Sequence, residues 1–181
     1  APRSLEYTLK QIDKNLLGPY ETTGKKKDGT EFPMEVRVRL MDYHGIKVRV
    51  GAIRDISDRK HKEELLRDII QKYQTLFETA INAILLMEGP VVIDCNAETL
   101  NIFGVENKED LVGHSILSFS PEKQPDGARS FDRALEYIDL TMNDSPQRFQ
   151  WKHTRMDGSP FDAEVCLNPL KMEDRTFIQA Y

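Results

Sequence analysis

One pattern constrains this chain more than any other: two blocks of sequence occur twice, in the same order. Arg3-Ser4-Leu5-Glu6, with Leu9, Ile12 and Asp13, returns as Arg129-Ser130-Phe131-Asp132, with Leu135, Ile138 and Asp139. Asp28-Gly29-Thr30, with Phe32, Glu35 and Val36, returns as Asp157-Gly158-Ser159, with Phe161, Glu164 and Val165. Single matches this short arise by chance, but two blocks in one order point to a duplicated module. The offset grows by three residues between the blocks, a slippage that falls in the loop at 142–145. A chain of 181 residues suits one or two domains, and 39% hydrophobic residues suffice for a real core.

Each copy opens on a helical pattern, Leu5, Leu9, Ile12 and Leu16 in one and Phe131, Leu135, Ile138 and Met142 in the other, recurring every three or four residues. Two strands follow around a turn, at 20–23 and 32–40, then at 149–155 and 161–167; the Asp-Gly pairs supply the positive φ of a tight connection. Phe32, Met34, Val36, Val38 and Leu40 alternate with Glu35, Arg37 and Arg39, the signature of a half-buried strand. His44-Gly45 turns the chain into a third strand at 48–53, matched by 176–181. The second copy adds a front half: a hairpin at 83–87 and 91–93 around Glu88-Gly89-Pro90, and a helix at 97–103 capped by Asn96 and closed by Gly104. Asn107 opens a further helix at 108–112 closed by Gly113, and another turn at 115–119 ends before Pro121. Such an order predicts an α+β fold with an antiparallel sheet, its helices gathered in the middle of the chain.

Between the copies, Asp55-Ile56-Ser57 leads into a charged run that reads as one long helix. Leu66, Ile69, Tyr73, Leu76 and Ala80 form a seam suited to another helix, and Leu65, Ile70 and Phe77 widen it to an amphipathic face. Ser57 or Asp58 is the expected N-cap. A solvated spacer with one apolar side fits the same pattern.

The net charge is −5 with scattered basic residues, which proposes no nucleic-acid surface. Cys95 and Cys166 are too few for a disulfide framework or a zinc site and favour a reducing, cytoplasmic setting. No apolar run approaches a membrane span, and no segment reads as a signal peptide. His44, His61, His114 and His153 have no metal-ligand spacing, and no phosphate loop, metalloprotease helix or nucleophile elbow occurs, so an enzyme is not expected. His61 precedes Glu63 and Glu64 as a phosphoacceptor histidine can, but without the accompanying Thr and Pro it reads as an exposed helix residue.

Ile93-Asp94-Cys95-Asn96-Ala97 running into Phe103-Gly104, then Glu109-Asp110-Leu111-Val112-Gly113, then Arg155-Met156-Asp157-Gly158 with Phe161, together resemble the PAS sensor domains. Gly51-Ala52-Ile53-Arg54-Asp55-Ile56-Ser57-Asp58-Arg59-Lys60 is similar to the PAC motif that ends such a domain and enters its signalling helix. The resemblance implies a five-stranded antiparallel sheet of order 2-1-5-4-3 with short helices over one face. It divides the chain into the C-terminal half of one PAS domain at 1–57, a helical linker at 58–78, and a second PAS domain at 79–181 lacking its C-terminal signalling motif. The first copy, without hairpin or short helices, lacks about half its core, so it is expected to pack on a second chain or to continue upstream. The whole reads as an internal fragment of a larger protein.

The resemblance also frames the candidate site. Light-sensing flavin members carry a reactive Cys among the short helices, whereas Cys95 ends a strand, Cys166 lies within one, and neither has a neighbouring cation in sequence. Haem members take an axial His from the long helix, and 130–142 contains none. Flavin and haem are therefore disfavoured, with non-covalent flavin left open. A small organic ligand would meet Phe103, Phe119, Phe131, Phe149 and Trp151, with His153 on the same strand face as Trp151. Aromatic residues dominate cores in any case, which favours simple core filling. Asp55, with Ile56, is the expected joint between sheet and signalling helix; Lys25-Lys26-Lys27 is a solvated hairpin tip. The expected function is a non-enzymatic sensory module of a two-component signalling protein, first a sensor histidine kinase, with its output domain on the same chain. A homodimer through Leu66, Ile69, Tyr73 and Leu76 is expected, and a PAS dimerisation scaffold without ligand is the rival.

Overall fold

The structure is a computed structural model that describes residues 18–181. The helical pattern expected at Leu5, Leu9, Ile12 and Leu16 lies outside the described residues. The chain divides into two compact units at residues 71 and 72.

In the first unit β1 (Tyr20–Lys25), β2 (Glu31–Tyr43) and β3 (Ile46–Asp55) form an antiparallel sheet in that order. The β2–β3 ladder runs to the pair Tyr43 and Ile46, leaving a two-residue loop whose His44 and Gly45 both have positive φ. That is the twist-matched hairpin turn, and it prolongs both strands beyond the limits the hydrophobic pattern set. Helix α1 (Ser57–Glu78) follows. Its first backbone bond runs from the Lys60 amide to the Ile56 carbonyl at 3.0 Å. Ile56 thus takes the cap position expected of Ser57 or Asp58, and Asp55 Oδ1 accepts from the Ser57 amide at 2.9 Å and hydroxyl at 2.6 Å. Asp55, one place before the cap, satisfies the first amide of the helix, which the Ile56 side chain cannot do.

The second unit begins within α1 at residue 72 and continues with the hairpin β4 (Leu85–Glu88) and β5 (Val91–Cys95), then α2 (Ala97–Phe103), single 3₁₀ turns at Lys108–Asp110 and Ile116–Phe119, and α3 (Ser130–Met142). Strands β6 (Gln147–Thr154), β7 (Pro160–Met172) and β8 (Arg175–Ala180) complete it. The sheet is antiparallel throughout, in the order β5-β4-β8-β7-β6, which is the 2-1-5-4-3 arrangement. Asn96 caps α2 with its side chain and Gly104 ends it at φ 66°, as the residue types required. The helix expected at 108–112 is only one 3₁₀ turn. The chain beyond it is drawn onto β5 instead, with Gly113 donating to the Val92 carbonyl and Val92 to that of His114.

One side of the sheet carries the core, where Met87, Val92, Leu111, Phe103, Ile138 and Ile178 pack together. Helix α3 covers part of it through Ser130, Ile138 and Thr141. Two of those three are polar, and each is satisfied: Ser130 Oγ accepts from Gln124 Nε2 at 2.8 Å and Thr141 donates to the Tyr137 carbonyl at 2.8 Å. The inward face is therefore rotated from the apolar stripe, and Phe131, which began that stripe, is 54% exposed.

Candidate functional site

Strand alternation puts Phe149, Trp151 and His153 of β6 on the helical side of the sheet. They form one wall of a cavity of about 650 Å³, which Phe161 and Val165 of β7, Phe103 of α2, and Ala134 and Ile138 of α3 complete. Each wall residue is held by a specific neighbour. Phe149 stacks flat on Tyr137 with ring centroids 3.9 Å apart. Trp151, 5% exposed, donates from Nε1 to Ser120 Oγ at 3.0 Å. The His153 ring stacks on Phe161 at 5.3 Å and meets the edge of Phe103 at 5.2 Å.

His153 Nδ1 lies 3.2 Å from the Phe119 carbonyl. A carbonyl only accepts, so Nδ1 carries the proton and the neutral ring keeps Nε2 as an acceptor with no partner among the described residues. Burial pulls the His153 pKa down to about 4, against the upward effect of that hydrogen bond. The ring is uncharged at neutral pH.

Of the aromatic residues expected at the site, Phe103, Phe149, Trp151 and His153 line the cavity. Phe119 stands behind, edge-on to Phe103 at 5.3 Å, and contributes its carbonyl rather than its ring surface. Phe131 is corrected outright: it lies on the outer flank of α3, for the reason given above. Phe161, Ser120 and Arg155 were not anticipated. Arg155 donates from Nε to the Ile102 carbonyl at 3.0 Å and lies 4.6 Å from the Phe161 ring centre. Only its place after the β6 alternation hinted at a role.

Matched by register, Tyr20, Thr22 and Gly24 of β1 stand opposite Val36, Met34 and Phe32 as Phe149, Trp151 and His153 stand opposite Val165, Ala163 and Phe161. A Cβ at Gly24 would lie 2.8 Å from the Phe32 ring and 2.9 Å from Met34 Sδ. In the first copy the Phe32 ring and Met34 occupy the place that a side chain at Gly24 would take, the position His153 holds in the second.

Cys95 is fully buried, and burial raises its thiol pKa. The fold does bring a cation near it, since Lys108 pulls the other way, but burial wins. Among the described residues no group of three His, Cys, Asp or Glu is disposed around a metal position, and no helix is long and apolar enough to cross a membrane.

At the expected joint, Ile56 is buried and its amide donates to the Pro33 carbonyl at 3.0 Å, pinning the start of α1 to β2. Hydrogen bonds from Ser57 hold the Asp55 carboxyl below its ordinary range. Glu21 of β1 accepts from Arg59 and Lys60, each at 2.7 Å, and those bonds, Lys60 first, bring its pKa down to about 2. Leu66, Ile69, Tyr73 and Leu76 lie exposed along α1, Tyr73 at 70%.

A family described as "PAS domain" matches residues 1–58 and 81–180 of this chain. Sporulation kinase A of Bacillus subtilis is 28% identical over 100 residues, which are 55% of this chain and 16% of that protein. The chain thus spans less than a fifth of that relative. The PAS domain of HTR-like protein from Haloarcula marismortui superposes with a TM-score of 0.57 at 20% identity, over 67% of this chain and 95% of that one. A domain of the sensory box sensor histidine kinase/response regulator from Geobacter sulfurreducens gives 0.51 at 19% identity, over 64% and 94%. At such identities the likeness shows a shared fold.

Proposed function

The chain belongs to the PAS domain family, and on that premise we propose that it is a non-catalytic sensory module of a signal-transduction protein, whose second unit binds a small organic molecule. The parent we propose is a cytoplasmic sensor histidine kinase with its output domain on the same chain, a reading supported by the likeness to sporulation kinase A. The observation that carries the sensory reading is the cavity itself: the aromatic residues line about 650 Å³ of space rather than filling it. That volume is of the size small-molecule sites have. At its aromatic wall Trp151 is spent on Ser120 and Arg155 on the Ile102 carbonyl, and Nε2 of His153, which has no hydrogen-bond partner among the described residues, is the acceptor we assign to the ligand. The ligand is accordingly a compact, largely apolar molecule with one hydrogen-bond donor.

Native mass spectrometry of the purified chain beside its ultraviolet–visible spectrum tests this reading. Retained extra mass, or a thermal shift with phenol or indole that His153→Leu abolishes, supports it. A bare protein that binds none of a panel of small aromatic alcohols and amides overturns it.

A dimerisation role is the second reading, favoured by the exposed seam on α1. Replacing Leu66 and Ile69 together by Glu should convert a dimer to a monomer in sedimentation equilibrium, because charge at such positions opposes helix pairing. An unchanged oligomer would remove the seam from the account.

A further inference from the structure

The last turn of α1, itself part of the second unit, is fastened within that unit by groups that play no part in the cavity wall. Asn96 is fully buried at the junction of β5 and α2. Its Oδ1 accepts from the Ile84 amide at 2.9 Å, the Thr99 amide at 3.1 Å and the Thr99 hydroxyl at 2.8 Å. Its Nδ2 donates to the Phe77 carbonyl at 3.1 Å and the Asn82 carbonyl at 2.9 Å. Phe77 belongs to the final turn of α1, where helix carbonyls lack intrahelical partners. The adjoining Glu78 carboxylate accepts from the Ala97 amide, the first of α2, at 3.0 Å. Lys108 Nζ bridges Asp94 at 2.6 Å and Glu78 at 3.4 Å, and lies 5.7 Å from the Phe77 ring centre.

Helix α2 is only seven residues long, and its far end is the cavity. Phe103 ends it, with its ring against His153 and Phe161 and its carbonyl accepting from the Met156 amide at 2.9 Å. A short helix fixed at both ends moves as one body. We propose that α2 is a strut, and that Asn96 and Lys108 form the latch through which the packing of Phe103 in the cavity controls the order of the final turn of α1. The latch goes beyond ligand sensing, because the coupling belongs to the chain whether or not a ligand is bound. Asn96 suits the task for a chemical reason: one amide offers the acceptor that α2 needs and the donors that the α1 end needs. Aspartate would turn an oxygen toward two carbonyls.

The test is hydrogen–deuterium exchange of the whole chain, following amides 73–79 relative to those of β8, so that global destabilisation cancels. Phe103→Leu loosens the cavity end. In the otherwise native chain it should speed exchange at 73–79 by about threefold or more over the β8 reference. With Asn96→Asp the segment should already exchange fast, and adding Phe103→Leu should change it by less than about 1.5-fold. Lys108→Met, which alters only the outer half of the latch and spares the core, serves the same cycle if Asn96→Asp does not fold. Exchange at 73–79 that ignores Phe103→Leu, or that rises by the same factor with the latch intact and broken, overturns the proposal.

Discussion

Replacing Trp151 by alanine is expected to lower the free energy of unfolding by about 3–5 kcal/mol, the range for truncating a large buried aromatic side chain. Trp151 sits on β6, the edge of the sheet, and its indole joins that strand to the loop at Ser120 and to the ring of Phe149. Alanine would remove both contacts and leave the Ser120 hydroxyl without its donor. One face of the indole already borders the cavity, so fewer packing contacts are lost there, which places the effect toward the lower end. The control is Phe131→Ala. Exposed on the flank of α3, Phe131 should cost about 0.5 kcal/mol or less. Urea melts of the two variants would separate them, and equal losses would show that the orientation of α3 is wrong. Trp151→Ala also divides the sensor from the scaffold. A sensor loses ligand-induced thermal stabilisation that Trp151→Phe largely keeps, whereas a scaffold shows only the stability loss.

Acidification should unlock the same wall from its other end. His153 titrates at about 4 in the folded chain, against about 6.5 when exposed in the unfolded one. Between these values the unfolded state binds the extra proton, so stability is whole above pH 6.5, falls as the pH drops toward 4, and levels off below. The difference amounts to about 3 kcal/mol. Carboxylates that the fold holds low, such as Glu21 and Asp55, act in the same direction but at lower pH, since their unfolded values already lie near 4. Urea midpoints at pH 7, 5.5 and 4.5 should therefore decline in the native chain and stay nearly level in His153→Phe. A decline of equal slope in both would mean that His153 is not the group responsible. If Nε2 receives the ligand's hydrogen bond, binding should fade over the same interval, because the imidazolium has no lone pair to accept it.

Much of the second unit was legible because its signals are local. Asn96 and Gly104 bound a helix through bonds made within a few residues, and Gly89-Pro90 turns a hairpin whatever surrounds it. Period-two spacing forces Phe149, Trp151 and His153 onto one face of any strand containing them. Where local rules met a tertiary alternative, they gave way. The helix drawn from Asn107 to Gly113 shortened because its later amides found β5. Ile56 holds the cap position expected of Ser57 or Asp58, with the Asp55 carboxylate bonding the first amide.

By itself the sequence determined the order of the three strands in each copy, the hairpins, the α2 cap and the face on which the aromatic residues of β6 lie, all consequences of bonds and spacings within about ten residues. The tertiary structure alone decided which side of α3 is buried, because Ser130 and Thr141 are admitted to the interior only once Gln124 and the Tyr137 carbonyl satisfy them. It alone decided that the wall borders a cavity. That depends on how Phe103, Phe161 and His153 meet, and contacts between residues some fifty positions apart leave no periodicity to read. The pairing of Asn96 with Phe77 is of the same kind: one side chain can serve two helices only after the fold has brought their ends together.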